Sequence, residues 1–216
     1  MAPLTLVIGN RNYSSWSLRA WFALKHLGLP FREIVIQLDT PDTREQLERA
    51  GPSARVPVLH AGTLQVWDSL AICEYAAELA GRGWPADGAA RALARAVSAE
   101  MHSSFQALRT AWPMNARARN RRTAMTPALE ADIDRIDEIW NDCRQRFGGS
   151  GPWLFGDYSV ADAMYGPVVL RFTTYGARIS QTARWYMASV LEDAALQEWL
   201  RAAKQETWTI PSDEVG

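Results

Sequence analysis

A cluster of hydroxyl groups lies near the start of the chain, where a predicted strand is followed by a predicted helix. Residues 12–19 (NYSSWSLR) follow the apolar run 4–8 and lead into a helix predicted over residues 17–27. The first N–H groups of a helix have no partner inside it, and the helix dipole makes that end positive. A turn of this kind is a ready site for an anion such as a thiolate or a carboxylate.

Two later motifs carry further polar groups. Residues 55–59 (RVPVL) place a basic side chain close to a proline, and residues 67–72 (WDSLAI) place an acid and a hydroxyl at the predicted start of a helix. Asp68 or Ser69 is suited to cap that helix, which runs to about Leu79. The serines and the acid also have a purely structural interpretation, because all of them are favoured helix caps.

The elements that would position these motifs follow a definite order. Strands are predicted over residues 4–8, 31–38, 56–60 and 64–67, and helices over residues 17–27, 43–49 and 68–79. The order strand, helix, strand, helix, strand, strand, helix is that of a thioredoxin-like domain. We therefore predict an α/β domain over residues 1–80.

The remainder of the chain is predicted to be helical. Residues 81–88 (GRGWPADG) form the predicted linker, and an all-helical domain is predicted over residues 89–216. Its first helix is predicted to run from residue 89 to residue 110, with Pro113 marking a break.

A capping box opens a later helix of this domain. Residues 159–162 (SVAD) allow Asp162 to reach back to the backbone N–H of Ser159. We therefore assign Asp162 a structural role rather than a chemical one. Two further helices, over residues 182–191 and 194–204, are predicted to complete the domain.

Composition excludes several classes of function. The chain has 216 residues, is 48% hydrophobic and carries a formal net charge of -1, so a sizeable core is expected and broad attraction to nucleic acid or anionic membranes is not. No apolar stretch approaches the ~18 residues that span a bilayer. Residues 1–4 lack the basic start of a secretory leader, so we expect a cytoplasmic protein with no membrane or nucleic-acid partner.

Metal chemistry is not predicted either. Cys73 and Cys143 are the only cysteines, too few for a disulfide framework or a cysteine metal cluster. The three histidines, at positions 26, 60 and 102, have no metal-ligand spacing. We therefore predict no metal site.

Taken together, the motifs resemble those of the cytosolic glutathione transferase family. Residues 14–19 (SSWSLR) resemble the Ser-Ser-Cys-Ser signature of zeta-class and related bacterial transferases, with Trp16 in place of the cysteine. Residues 56–57 resemble the family's cis-proline, residues 68–69 its acidic-serine pair, and residues 159–162 its helix-capping box. The resemblance implies the family's fold, which is a thioredoxin-like domain followed by an all-helical domain.

The resemblance also implies a role for the serine cluster. Glutathione would be the co-substrate, and Ser14 would donate a hydrogen bond to its thiolate, with Ser15 and then Ser17 as rivals. A free thiol has a pKa of about 8.5, and each unit of lowering requires roughly 1.4 kcal/mol of thiolate stabilisation. A hydroxyl hydrogen bond and the helix N-terminus would together supply about one to two units.

The rest of glutathione would be held by the two later motifs. In this fold Pro57 would be cis, so that Val56 could pair with the cysteinyl part of glutathione like an added strand; the alternative is an ordinary trans proline. Asp68 would bind the γ-glutamyl ammonium, and Ser69 the γ-glutamyl carboxylate. The predicted glutathione-binding residues are Ser15, Arg55, Val56, Pro57, Asp68 and Ser69.

In this family the helical domain would hold the second, electrophilic substrate. The mixed polar and apolar segment from Glu100 to Asn115 offers His102, Arg109 and Asn115 as contacts, against the alternative of helix core with a solvated surface. The basic run 117–122 fits a solvated loop or recognition of an acidic substrate.

The resemblance thus favours a glutathione transferase that attaches glutathione to small electrophiles, and it implies a homodimer. Two alternatives remain open. One is a glutathione-dependent cis-trans isomerase of an unsaturated dicarboxylic acid, for which Arg109, Arg171 and Arg178 would bind the two carboxylates. The other is a non-catalytic protein-binding adaptor, for which the set of predicted glutathione contacts would have no use.

Overall fold

The amino-terminal part of the chain folds around a four-stranded mixed sheet. A computed structural model describes residues 3–149 and 151–216, so the prediction about a leader falls partly on Met1 and Ala2, which lie outside the described residues. The strands are β1 (Leu4–Ile8), β2 (Phe31–Val35), β3 (Val58–Ala61) and β4 (Leu64–Val66). Their spatial order is β2-β1-β3-β4, with β2 parallel to β1 and the other neighbouring strands antiparallel.

The strand β1 is buried on both faces because helices and loops cover the two sides of the sheet. Leu6 and Ile8 point into the main core, whereas Val7 packs with Ile36 and Val58 on the opposite face. This continuous apolar run is typical of a central strand covered on both sides.

Three helices complete this unit: α1 (Ser15–Leu27), α2 (Thr43–Ala50) and α3 (Ser69–Ala80). The carboxylate of Asp68 caps α3 by accepting from the N–H groups of Leu70 and Ala71. Gly28, at φ 71°, ends α1 in the left-handed conformation that glycine adopts without a steric penalty. The thioredoxin-like order predicted from the sequence is confirmed.

The remaining helices form the second unit. They are α4 (Gly88–Ser103), α5 (Gln106–Ala111), α6 (Pro127–Phe147), α7 (Val160–Tyr175), α8 (Gln181–Glu192) and α9 (Ala194–Gln205), followed by a short 3-10 turn at Pro211–Asp213. No helix in the described ranges is both long enough and apolar enough to cross a membrane.

The predicted single helix over residues 89–110 was wrong. The chain breaks at Phe105, which takes the left-handed φ of 65°, and α5 starts afresh at the next residue. Two side chains hold this break: Arg109 donates back to the carbonyl of Ser104 at 2.9 Å, and Asp132 accepts from the N–H of Leu108 at 2.9 Å. Because Asp132 belongs to α6, helical propensity along the segment cannot reveal the break.

Two strands are also shorter than predicted. The strand β3 begins at Val58 instead of residue 56, because the Val56-Pro57 peptide is cis and lies outside the ladder. The strand β2 ends at Val35, whereas the predicted strand extended to residue 38.

The helix α1 links the two units, since it packs against α3 on one side and α7 on the other. Gly166 of α7 lies at this contact, and a Cβ placed there would be 3.5 Å from the ring of Phe22, an ordinary van der Waals distance. The start of α1, with its serines, is therefore held between the sheet and the helical unit.

Candidate functional site

Two cavities meet at the start of α1. The first, here called the serine cavity, has a volume of about 420 Å³, and the second, the aspartate cavity, about 470 Å³. The serine cavity is lined by Tyr13, Ser14, Ser15, Trp16, Leu38, Leu47, Ala54, Arg55, Val56, Arg109, Pro113, Met114, Arg171, Ile210 and Asp213. The aspartate cavity is lined by Trp16, Ser53, Arg55, Val56, Pro57, Trp67, Asp68, Ser69 and His102. Trp16, Arg55 and Val56 line both and form the partition between them.

Ser14 is the N-cap of α1. Its Oγ accepts from the N–H of Ser17 at 3.3 Å and donates to the Oγ of Ser17 at 2.7 Å. The Ser17 Oγ in turn accepts from the N–H of Gly9 at 3.0 Å, so this hydroxyl ties the end of β1 to the start of α1. Ser14 lines the serine cavity, whereas Ser17 is fully buried behind it.

Ser15 has a different partner. Its Oγ accepts a hydrogen bond from the Arg171 guanidinium at 3.2 Å, which leaves the hydroxyl hydrogen able to point into the serine cavity. Arg171 belongs to α7 and also donates to the carbonyl of Trp112. The helical unit thus takes a direct part in placing the second serine.

The aspartate cavity is built around the N-terminus of α3. Asp68 accepts a hydrogen bond from the ring Nε2 of His102 at 2.7 Å, so a residue of α4 reaches across to the first unit. Among the described residues, the Ser53 Oγ, the Ser69 Oγ and the His102 Nδ1 are buried and have no hydrogen-bond partner. These three polar atoms, close to the positive end of α3, are suited to a ligand that carries both charges.

The predicted cis-proline is confirmed, since the Val56-Pro57 peptide bond is cis. Val56 borders both cavities, and Arg55 lies beside it with an exposed side chain. All six residues predicted to bind glutathione line one or both cavities.

Three arginines surround Trp16 and the serine cavity. The guanidinium carbons of Arg19 and Arg109 lie 4.4 and 4.8 Å from the centre of the Trp16 ring, a cation–π arrangement on both counts. Within the described residues, none of Arg19, Arg109 and Arg171 forms an ion pair with a carboxylate. Burial, followed by the charges of the neighbouring arginines, lowers the pKa of Arg19 to about 9 and that of Arg171 to about 10.

The predicted second-substrate residues do not line one common cavity. Arg109 lines the serine cavity as expected. His102 lies in the aspartate cavity instead, where burial, only partly opposed by Asp68, lowers its pKa. Asn115 lines neither cavity, because its amide is bonded to Asn12 at 2.9 Å and to Glu214 at 2.9 Å and is 2% exposed.

Sequence reasoning also missed five residues of the serine cavity, namely Leu38, Leu47, Ala54, Ile210 and Asp213. Ile210 and Asp213 come from the segment after α9 and line the cavity close to Ser14 and Ser15. Nearly 200 residues separate them from the serines, and nothing in their local sequence carries a motif, so only the folded chain brings them to the site. In the described part of the chain, no group of three or more His, Cys, Asp or Glu residues could hold a metal ion.

Family models cover most of both units. The model for the glutathione S-transferase N-terminal domain matches residues 13–79, and that for the glutathione S-transferase C-terminal domain matches residues 126–202. The first match includes the serines at the start of α1 and every residue of the aspartate cavity except His102, and the second includes α6 to α8 and most of α9. No curated protein sequence matches the chain significantly.

Solved structures support the same architecture. A glutathione transferase homologue from Burkholderia gl BGR1, with bound glutathione, is 22% identical with a TM-score of 0.73, and the match covers 94% of this chain and 100% of that one. A holo maleyl pyruvate isomerase, described as a bacterial zeta-class glutathione-S-transferase, is 20% identical with a TM-score of 0.73, covering 94% and 100%. A theta-class enzyme from Xanthomonas axonopodis pv. citri, also with glutathione bound, is 20% identical with a TM-score of 0.65, covering 93% and 98%.

These likenesses extend over nearly the full length of the solved chains and agree with the two domain matches. At such identities the structures establish the fold alone, whereas the two domain models identify the family. The chain belongs to the glutathione transferase family.

Proposed function

We propose that this protein joins glutathione to small electrophilic molecules. The observation that carries the proposal is that two cavities meet at the N-terminus of α1. The serine cavity contains Ser14, the N-cap of α1, and Ser15, and the aspartate cavity contains polar groups without a partner at the start of α3. Residues 1–80 would hold glutathione, residues 89–216 would supply most of the electrophile's surroundings, and residues 81–88 would link them. The proposed setting is the cytoplasm.

The serine cavity suits the thiol end of glutathione. With ligand bound, the Ser14 hydroxyl would turn its hydrogen from the Ser17 Oγ to the thiolate, while its oxygen keeps accepting from the Ser17 N–H. The thiolate sulfur then forms a bond to the electrophilic carbon. A leaving group departs with its electron pair, or, for an activated double bond, the adjacent carbon takes up a proton from solvent.

The aspartate cavity suits the γ-glutamyl end. Asp68 would bind the ammonium, and the unpartnered Ser69 hydroxyl, at the positive end of α3, would bind the carboxylate. His102 donates a hydrogen bond to the Asp68 side chain and would hold the Asp68 carboxylate in position.

Removing the negative charge at Asp68 should weaken glutathione binding and leave the thiol chemistry intact. We expect Asp68→Asn to raise the Kd for glutathione about tenfold, because a charge-assisted hydrogen bond contributes about 1.5 kcal/mol or more. The Asn side chain keeps a capping oxygen, so α3 should remain folded. Titration calorimetry would measure the affinity, and an unchanged Kd would show that the ammonium binds elsewhere.

The direct test of the proposal is calorimetric titration with glutathione and with S-methylglutathione. Saturable binding of both at millimolar affinity or better, together with conjugation of a chloronitroarene followed by absorbance, is the expected result. Failure of both ligands to bind would contradict the proposal and favour the adaptor alternative, in which protein partners replace glutathione.

A second candidate is the cis-trans isomerisation of an unsaturated dicarboxylic acid. It is favoured by Arg109 and Arg171, which line the serine cavity without carboxylate partners among the described residues. The solved maleyl pyruvate isomerase has the same fold. Thiolate addition to the double bond, rotation and elimination would regenerate glutathione, so product with the trans double bond would form without glutathione being consumed.

We also propose that the protein is a homodimer. Leu64 of the edge strand β4 and Trp67, which lines the aspartate cavity, are 47% and 47% exposed. About half of each large apolar side chain is uncovered within the subunit, and contact with a second copy would bury both. Leu64→Glu should therefore shift the molar mass in solution, measured by light scattering, from dimer to monomer. Exposed Met125→Glu serves as the matched control, and a dimeric Leu64→Glu protein would exclude this edge as the interface.

A further inference from the structure

The C-terminal segment 206–216, here called the strap, lies across the loop that precedes α1. The Glu206 carboxylate accepts from the N–H groups of Arg11 and Asn12 at 2.8 and 3.1 Å. Further along, the Glu214 carboxylate accepts from the Tyr13 hydroxyl at 2.5 Å. The strap is thus attached at two points to the residues directly before Ser14.

Two arginines of the loop after α5 hold the strap from the other side. Arg117 donates to the carbonyls of Glu206 and, at 2.9 Å, Trp208. Arg121 binds the Glu214 carboxylate at 2.5 Å and the carbonyl of Gly216 at 2.7 Å. These anchors fix the course of the strap, so the residues between Glu206 and Glu214 have a defined position over the serine cavity.

The strap forms the outer wall of that cavity through Ile210 and Asp213. Asp213 is the only carboxylate among the residues that line it, whereas Arg55, Arg109 and Arg171 contribute positive charge. Burial raises the pKa of Asp213, and the Arg171 guanidinium opposes that rise, so the charges of these two lining residues interact. The serine cavity therefore keeps an excess of positive charge even with Asp213 ionised.

Arg171 is the cation in this cavity that is most strongly removed from water. It is 6% exposed, and its partners are the neutral Ser15 Oγ, at 3.2 Å, and the neutral carbonyl of Trp112. A buried guanidinium that has no carboxylate bonded to it is stabilised when a ligand supplies one. Its contact with Ser15 places it beside the expected position of the glutathione sulfur.

We propose that the second substrate carries a carboxylate that binds Arg171, and that Asp213 on the strap sets how strongly the cavity prefers this charge. The inference rests on the proposed function, because it takes the serine cavity as the place of the electrophile. Arg171 attracts the carboxylate, and Asp213, which lines the same cavity, repels it. The strap thereby acts as a specificity element for the second substrate.

A matched pair of ligands can test this charge preference. S-(carboxymethyl)glutathione and S-(carbamoylmethyl)glutathione have nearly the same shape, and both place a short group beyond the sulfur. They differ in one negative charge at that group. The measured quantity is the ratio of the amide's Kd to the acid's Kd, obtained by calorimetry on the full-length protein.

The wild-type ratio should exceed one, and Asp213→Asn should raise it a further three- to tenfold, about the size of one partly screened charge interaction. Arg171→Gln should bring the ratio to about one. Because Arg171 is buried, Arg171→Lys is a second variant that keeps the charge and should keep a ratio above one. Asp134→Asn, an exposed change on α6 with the same effect on net charge, should leave the ratio at the wild-type value.

The possible outcomes separate this inference from the proposed function. If neither ligand nor S-methylglutathione binds, the proposed function itself fails. If S-methylglutathione binds but the ratio is one in the wild type, or does not change in Asp213→Asn, the carboxylate site is overturned while the glutathione site stands. An equal rise in Asp134→Asn would attribute the effect to net charge rather than to the strap.

Discussion

Ser14→Ala should lower the rate of conjugation by about 10- to 100-fold while changing the affinity for S-methylglutathione by less than about threefold. A hydrogen bond to a charged acceptor contributes about 1.5–3 kcal/mol, which corresponds to this range of rates. S-methylglutathione has no thiolate, so its binding does not depend on that bond. The pKa of the bound thiol, read from the pH dependence of kcat/KM, should rise in the variant.

Ser14 is also a cap, and its loss should destabilise α1. The lost hydrogen bond to the Ser17 N–H should cost about 1 kcal/mol of unfolding free energy. Thermal unfolding therefore has to accompany the kinetics, so that a drop in rate is not assigned to a smaller folded fraction. A rate that falls without a change in the thiol pKa would contradict the proposed role of the hydroxyl.

Ser15→Ala is the informative comparison, because Ser15 is the nearest rival. Its oxygen is held by Arg171, and an accepted hydrogen bond from a guanidinium makes a hydroxyl a better donor. With Ser14 as the thiolate donor, Ser15→Ala should retain most of the conjugation rate. The reverse pattern, with a slow Ser15→Ala and a normal Ser14→Ala, would transfer the role to Ser15.

Asp162→Ala should lower the free energy of unfolding by about 3 kcal/mol or more. The carboxylate is fully buried and accepts from the Ser159 N–H at 2.8 Å, the Ser159 hydroxyl at 3.1 Å and the Leu154 N–H at 3.0 Å. Its removal leaves two buried N–H groups without a partner, each costing about 1–3 kcal/mol. The effect exceeds that of a simple surface cap because Asp162 joins α7 to the loop before it.

Urea unfolding followed by circular dichroism would measure this loss, and the melting temperature should fall by about 6–12 °C. Asp134→Ala, on the exposed face of α6, is the control and should change stability by less than about 0.5 kcal/mol. The folded fraction of Asp162→Ala should bind S-methylglutathione as the wild type does. A stable Asp162→Ala protein with lost binding would assign Asp162 to the site instead.

Much of this site follows from local sequence. Ser14 as the cap of α1, Asp68 as the cap of α3, and the reach of Asp162 back to Ser159 are all predictable because each involves residues within three positions of one another. Capping geometry depends on the short-range path of the backbone, which residue type and spacing largely determine. The order of strands and helices is predictable on the same grounds, from hydrophobic periodicity.

Residues that are positioned by long-range contacts were not predictable in this way. His102 was expected beside the electrophile, but it lies near the end of α4 and its ring contacts Asp68. Asn115 was expected at the same site, but its amide instead ties the loop at Asn12 to Glu214. In both cases the residue has a polar side chain that could contact a substrate. The orientation of that side chain depends on contacts with residues more than 30 positions away in the sequence.

The sequence by itself determined the two-part architecture, the serine cap of α1 and the aspartate cap of α3. Short-range backbone preferences and hydrophobic periodicity act within each segment, so they can be recognised without the folded structure. Only the tertiary structure decided which charges face the serines: Arg171 from α7 and Asp213 from the strap. Their positions result from helix packing and from the anchoring of Glu206 and Glu214, which are long-range contacts that no local pattern encodes.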